Sequence, residues 1–161
     1  MVVACALING AACSIGHSCS EIGCVNGVDV RIAPDGNVWQ DGDYVVELSL
    51  EGAVSSCAFS IPEDLPARGQ DTSLDCGYLS QLAACREVRT SDAISQVCEP
   101  IEGEYELRLT AWSEPSSLEL TLTRDGDVVL EHSKKLVYRE STPNGPECAP
   151  VCRNASVELT F

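Results

Sequence analysis

Positive charge is scarce in this chain. Of its 161 residues, 10 are Lys or Arg and 25 are Asp or Glu, which gives a formal net charge of −15 at pH 7. Such a chain has no basic stripe to neutralise phosphates, which excludes a nucleic-acid-binding protein. The same shortage excludes adsorption to an anionic bilayer. The acidity is typical of a soluble exported protein, with calcium binding or a basic partner as alternatives.

Aromatic residues and long apolar runs are also scarce. Aromatic residues make up 5% of the chain and hydrophobic residues 44%, so a core must consist mainly of Val, Leu, Ile and Ala. We expect the two tryptophans, Trp39 and Trp112, to pack over this core rather than to mark a binding surface. No stretch approaches the ~20 apolar residues of a membrane span. The length and composition predict one core-forming domain.

The residues of common catalytic sites are missing or poorly placed. Nucleophilic hydrolysis needs a Ser with a His partner, and no Gly-x-Ser-x-Gly motif occurs. His132 stands between Glu131 and Ser133 in a polar segment, where we expect a solvated strand residue. A thioredoxin-like site needs Cys-x-x-Cys, which is also absent. The sequence therefore predicts that the protein is not an enzyme.

Metal sites are disfavoured by spacing. Cys13, Cys19 and Cys24 with His17 fit the short Cys-x2–4-Cys pairs of zinc sites poorly. Asp pairs such as Asp125-Gly126-Asp127 lack the ligand series of an EF-hand. Asp-Gly tolerates positive φ, so this segment instead predicts a tight hairpin turn. We expect neither a bound metal nor another cofactor.

Cysteine, by contrast, is abundant. The chain has 10 cysteines but only 2 histidines. The even number of cysteines indicates a disulfide framework formed in an oxidising compartment. The spacing leaves the pairing open. The cysteines predicted to form disulfides are Cys13, Cys19, Cys24, Cys57, Cys76, Cys85, Cys98, Cys148 and Cys152.

The remaining cysteine, Cys5, has a different predicted role. Val2-Val3-Ala4-Cys5 has the residue order of a bacterial lipoprotein processing site, in which the cysteine receives lipid. Only four residues precede Cys5, whereas a signal peptide has an apolar run of roughly 7–15 residues before its cleavage site. Acylation of Cys5 leaves an odd number of cysteines, so one would be free or paired between molecules. We predict a lipid anchor at Cys5, with a disulfide-bonded Cys5 as the alternative.

Alternation of apolar and polar residues begins after residues 1–24, which we interpret as a truncated signal or tether with a Cys-rich segment. Val28, Val30 and Ile32 alternate with polar Asp29 and Arg31, a pattern typical of antiparallel sheet with one buried face. Six or more such segments predict an immunoglobulin-like antiparallel β-sandwich over residues 25–161. The predicted inward residues are Val28, Val30, Ile32, Tyr44, Val46, Leu48, Leu50, Phe59, Leu107, Leu109, Leu118, Leu120, Leu122 and Leu159.

Residues 63–100 interrupt this pattern. Leu74, Tyr78, Leu82 and Cys85 lie near helical spacing, which predicts a short helix within a loop-rich insertion. The segment also contains three of the cysteines, so we expect disulfides rather than a core of its own to hold it.

The C-terminal region contains the most distinctive motif. Prolines and an Asn-Gly pair set a rigid path before a Cys-x-x-x-Cys pair and a last short strand. The motif residues are Pro143, Asn144, Gly145, Pro146, Cys148, Pro150, Cys152 and Arg153.

This motif resembles the C-terminal signature of predicted disulfide-rich lipoproteins of myxobacteria and related deltaproteobacteria. The resemblance is close over the motif, loose over residues 19–62 and 101–161, and weakest at the N-terminus and in the middle segment. It implies a lipid-anchored β domain in the envelope of a Gram-negative bacterium, either at the outer membrane or in the periplasmic or extracellular space. It implies no activity.

Two function classes remain open. The first is an envelope structural or binding module that presents its β-sandwich to a protein or glycan, in contact with the membrane only through its anchor. The second is a secreted hydrolase or enzyme inhibitor that uses residues 63–100 as its working loop. The absence of a catalytic set favours the first.

Overall fold

The computed structural model describes Gly23 and residues 26–65, 72–74, 77–89 and 94–161. The described residues form strands and turns, with one short 3-10 turn at Asp35–Asn37. None of their helices is long and apolar enough to span a membrane. The strands are β1 (Gly27–Ala33), β2 (Gly42–Leu50), β3 (Ala53–Ile61), β4 (Thr72–Leu74), β5 (Gly77–Arg89), β6 (Ile94–Ala111), β7 (Ser117–Arg124), β8 (Asp127–Lys135), β9 (Arg139–Ser141) and β10 (Cys152–Thr160).

These strands form two sheets that pack face to face. One sheet has the order β4-β5-β6-β1-β10-β9 and the other has the order β3-β2-β7-β8. Neighbouring strands are antiparallel except for β1 and β10, which run parallel. The predicted class, an antiparallel β-sandwich, is therefore confirmed. The predicted division into residues 1–24 and 25–161 stays a prediction, because nearly all of the first segment lies outside the described residues.

The core lies where the apolar sides of the two sheets meet. All the residues predicted to face inward are buried except Leu48 and Leu50, which are half-buried and pack against the core. Ile32, Val46, Leu107, Leu118 and Leu122 are each 0% exposed. Alternation places these side chains on one face of each strand, and full burial of such a side chain stabilises the fold by roughly 1.5–3 kcal/mol.

An aromatic cluster closes one end of the core. The Trp39 ring meets Tyr44, Phe59 and Phe161 edge-on, at centroid distances of 5.1, 5.6 and 5.3 Å. Its indole Nε1 donates a hydrogen bond of 3.0 Å to the carbonyl oxygen of Tyr105. Trp39 therefore packs over the core, as the sequence predicts, and its polar atom is satisfied inside it.

The turns follow the expected chemistry. Asp125 and Gly126 have φ values of 53° and 88°, as a tight hairpin between β7 and β8 requires. Glu51 and Gly52 adopt the same geometry between β2 and β3, with φ values of 52° and 86°. The Glu51 carboxylate accepts a hydrogen bond from the backbone N–H of Ser116, which lowers the pKa of that carboxyl.

The segment predicted as a loop with a short helix is instead a long hairpin. Residues 77–89 form β5, which pairs with β6 up to Arg89 and Ile94. The prediction of a helix was wrong because the ladder with β6 decides the local conformation: Leu79 lies opposite Leu107, and both are fully buried. A register shift between Gln81 and Ala83 breaks the two-residue period and produces the misleading spacing.

Beyond this register shift the hairpin continues as a two-stranded ribbon. We call residues 83–89 and 94–100 the hairpin arm. Its side chains are exposed wherever the structure describes them, apart from the half-buried Pro100. A disulfide between Cys85 and Cys98, which face each other across the ladder with a Cα–Cα distance of 4.0 Å, links its two strands. The arm is thus pinned by a disulfide and not by a core, which is the part of the expectation for residues 63–100 that the structure bears out.

Candidate functional site

The structure describes only part of the predicted cysteine framework. Cys85 and Cys98 bond to each other, and Cys57, Cys148 and Cys152 are also disulfide-bonded. The last three are buried, at 4%, 9% and 6% exposure. The predicted lipid site Cys5 and the predicted disulfide residues Cys13, Cys19, Cys24 and Cys76 lie outside the described residues. Disulfide bonds are thus a feature of the described fold, as expected for a protein from an oxidising compartment.

The proline-rich segment before β10 is held by its own short hydrogen bonds. The N–H of Gly145 donates to the Thr142 carbonyl at 2.9 Å, and the N–H of Cys148 donates to the Gly145 carbonyl at 3.1 Å. The Asn144 side chain donates to the Ala149 carbonyl at 2.9 Å. Gly145 has a φ of +107°, which favours glycine at this position. The distinctive residues of this segment therefore build a fixed loop.

Arg153, the last residue of the motif, connects three neighbouring segments. Its guanidinium bonds Glu114 at 2.6 Å, lies 3.4 Å from Glu140, and stacks 5.5 Å above the ring of Tyr138. The Tyr138 hydroxyl in turn donates to the Pro115 carbonyl at 2.8 Å, and burial raises the pKa of this phenol. Because the polar groups of Arg153 and Tyr138 already have protein partners, the motif is best explained by structure and not by ligand contact.

The clearest concavity is a groove of about 1450 Å³ that crosses strands β1, β6 and β10. Segment 134–139, which leads from β8 into β9, borders it. We call this concavity the sheet groove. Its charged lining residues are Asp29, Arg31, Arg108, Lys134, Arg139 and Glu158.

A shared carboxylate organises the middle of the sheet groove. Arg108 binds Asp29 through two hydrogen bonds of 2.6 and 3.0 Å, and Arg31 binds the same carboxylate at 3.2 Å. Arg31 and Arg108 lie directly opposite each other in the β1–β6 ladder, where like charges repel. Asp29 offsets this repulsion, and its hydrogen bonds raise the pKa of Arg108. The Arg108 guanidinium also lies 6.0 Å from the centre of the Tyr78 ring.

Trp112 follows the end of β6 and lines the sheet groove with 73% of its surface exposed. The expectation that Trp112 packs over the core was wrong. Tight backbone packing sets its place: a Cβ on Gly27 would lie 2.0 Å from the Ala111 carbonyl oxygen and 3.2 Å from the Trp112 Cα. Gly27, with a φ of +145°, therefore permits the close approach that puts Trp112 at the rim of the groove.

Among the positive residues that line the sheet groove, Lys134 and Arg139 form no ion pair with any residue that the structure describes. Both side chains are exposed. Counting them, the sheet groove has four positive and two negative lining residues, whereas the whole chain carries −15. The groove is thus a locally positive area on an acidic protein.

His132 differs from its expected environment. It lies on β8 opposite Leu120, which is 1% exposed, so it occupies the core-facing side of this edge strand. Its Nε2 atom is buried without a hydrogen-bond partner among the described residues. The prediction of a solvated histidine was wrong because residues 130 and 132 lie on the same face of β8, and Leu130 on that face packs against the core. Within the described ranges, no group of His, Cys, Asp and Glu is arranged to hold a metal ion.

The sheet groove is the main feature that sequence reasoning missed. The outward position of Asp29 and Arg31 is visible from the alternation in β1, but the pairing that adds Arg108 is a long-range contact. The position of Trp112 one residue past the last alternating residue of β6 is the local signal that sets it apart from Trp39.

Comparison of the chain with protein-family models, with curated proteins and with solved structures found no match.

Proposed function

We propose that this protein is an exported, lipid-anchored component of a bacterial cell envelope that serves as a non-catalytic binding module. The observation that carries the proposal is the sheet groove, which combines an exposed tryptophan, an arginine–carboxylate cluster and two cations with no ion-pair partner among the described residues. Concave surfaces with a few convergent polar groups are the usual location of binding sites. Its partner is an envelope protein or glycan.

Export is supported by the cysteine chemistry. The described cysteines are in disulfides, three of them buried, and such bonds persist in oxidising compartments. A periplasmic or extracellular location is compatible with these bonds. Attachment to the outer membrane rests on the order Val2-Val3-Ala4-Cys5 and on the C-terminal resemblance.

The anchor is tested by replacing Cys5. We expect Cys5→Ser, expressed from the gene with its full upstream region, to release the protein from the membrane fraction. A single acyl chain gives only marginal binding, so stable anchoring requires several chains on this residue. If Cys5→Ser leaves the partitioning unchanged, the protein is exported without a lipid anchor.

The binding role is tested with envelope fractions. We expect immobilised protein to retain an envelope component, and we expect Trp112→Ala to reduce that retention strongly. Val137→Ser tests a second residue, at the border of the groove, for comparison with Trp112→Ala. Lys135→Gln is the control, since Lys135 neighbours Lys134 without lining the sheet groove. Equal retention by wild-type protein and Trp112→Ala would remove the sheet groove from the function.

The hairpin arm supports a second candidate, a secreted enzyme inhibitor. A ribbon exposed on both faces and linked by Cys85–Cys98 resembles a rigid loop presented to a partner's cleft. Such an inhibitor would lose activity when the arm is altered and keep it when the sheet groove is altered. Inhibition assays against envelope and secreted hydrolases, with Arg86→Ser in the arm and Trp112→Ala in the groove, distinguish the two candidates.

A further inference from the structure

We infer that the sheet groove binds an acidic glycan, a chain of sugars that carries carboxylate groups. The inference rests on the proposed function, because it names the ligand class of the same site.

The first argument is charge. Four positive and two negative side chains line the sheet groove, and the chain as a whole carries −15. A positive concavity on an acidic protein selects an anionic group that enters it, while the surrounding surface repels dense polyanions. A sugar chain with widely spaced carboxylates can place an anionic group in the groove without bringing a dense negative charge to the surrounding acidic surface. Lys134 and Arg139 are the available cations, since the structure shows no ion-pair partner for either among the residues it describes.

The second argument is the exposed indole. Trp112 is 73% exposed at the rim, and Tyr78 also lines the sheet groove. The flat apolar face of a sugar ring packs against such a ring, while the hydroxyls at its edge remain free to form hydrogen bonds. Thr110 and Ser156, which are exposed and line the groove, supply hydroxyl donors and acceptors for them. The groove thus offers aromatic rings and hydroxyl groups for sugar recognition beside its cations.

The third argument is the position of the groove in the sheet. Over the groove, strand β1 is paired on both sides, with β6 and with β10, so its backbone groups are engaged in the ladders, whereas β10 pairs with β9 only at Cys152–Asn154. A peptide cannot add as an extra strand across the middle of this face, at β1, because that mode needs a free sheet edge. Recognition there must instead come from side chains, as it does for sugars. The volume of about 1450 Å³ exceeds that of a typical small-molecule pocket and suits several linked sugar units.

The test is calorimetric titration of the purified chain, with its disulfides intact. The probes are short oligomers of galacturonate, mannuronate and hyaluronan, each paired with its methyl-esterified form, which keeps the sugar rings and removes the charge. We expect at least one acidic oligomer to bind, and its methyl ester to bind about tenfold more weakly. We also expect the affinity to fall as salt is raised.

Matched variants locate the binding. We expect Lys134→Gln combined with Arg139→Gln to weaken binding about tenfold, and Trp112→Ala to weaken it at least about tenfold. Lys135→Gln removes one positive charge from the residue next to Lys134, outside the groove, and we expect less than about a twofold change. Unchanged melting temperatures would show that the variants remain folded.

Three results would overturn the inference. One is equal binding of the acidic oligomers and their methyl esters, and another is an effect of Lys135→Gln as large as that of the groove variants. The third is absence of binding to every oligomer while the protein still retains an envelope protein through the sheet groove. This last result would favour an acidic polypeptide partner and leave the proposed function intact. Loss of both glycan binding and envelope retention would contradict the proposed function as well.

Discussion

Strand β6 runs through two regions of the molecule that are stabilised by different means. Its C-terminal half lies in the sandwich, where Leu107 and Leu109 are 0% and 2% exposed. Its N-terminal half lies in the hairpin arm, where Val97 is 39% exposed and the Cys85–Cys98 disulfide joins the strand to β5. The same backbone ladder is thus supported by a hydrophobic core at one end and by a covalent link at the other. An isolated two-stranded hairpin is only marginally stable in water, so the arm depends on that link.

The first prediction uses two substitutions on this one strand. We expect Leu107→Ala to lower the free energy of unfolding by about 2–5 kcal/mol, because it leaves a cavity in a packed core. We expect Val97→Ala to change it by less than about 0.5 kcal/mol, because the residue lies in the arm and its truncation leaves no cavity in the core. Urea unfolding followed by circular dichroism measures both. Similar losses at the two positions would show that the arm shares the core's stability.

The second prediction concerns the arm's disulfide. We expect the double variant Cys85→Ser/Cys98→Ser to increase amide hydrogen exchange in residues 83–89 and 94–100, while the core strands keep their protection. The chain-entropy model gives roughly 3 kcal/mol for a disulfide that closes a loop of this size, but only if the arm unfolds together with the body. A loss of that size in global stability would contradict the separation of the two regions.

The third prediction concerns the charged cluster on the body. We expect Arg108→Gln to destabilise the protein by about 1 kcal/mol, since it removes a bidentate partner of Asp29 at a partly exposed site. In a protein that already carries Asp29→Asn, Arg108→Gln should destabilise less than it does in the wild type, because the two residues act through one contact. Chemical unfolding of the single and double variants gives the coupling energy. Fully additive losses would mean that the observed contact contributes nothing measurable.

The body and the arm also differ in how well the sequence predicts them. Alternation in β1, β2 and β7 predicts the sandwich and its core correctly, because one buried face imposes a two-residue period. The arm has no buried face, so Ala83, Ala84 and Cys85 show no alternation of apolar and polar residues. The register shift before them gives the apolar residues a spacing that resembles that of a helix.

The site was predictable only in part, for a related reason. The sequence shows Asp29 and Arg31 on the outer face of β1, but the addition of Arg108 requires the pairing of strands far apart in the chain. Composition also hides the groove, because a net charge of −15 conceals a local excess of positive residues. Trp39 and Trp112 look equivalent in an aromatic-poor chain, and only the fold buries one and exposes the other.

That difference between the two tryptophans supplies the most direct test of ligand binding at the sheet groove. Trp39 is 6% exposed in the core and Trp112 is 73% exposed at the groove, so acrylamide quenching of the fluorescence reports chiefly on Trp112. We predict that a bound acidic oligosaccharide protects the wild-type protein from quenching and has no effect on the Trp112→Phe variant, in which only Trp39 emits. Unchanged quenching of the wild type at ligand concentrations that saturate binding would contradict the placement of the ligand in the sheet groove.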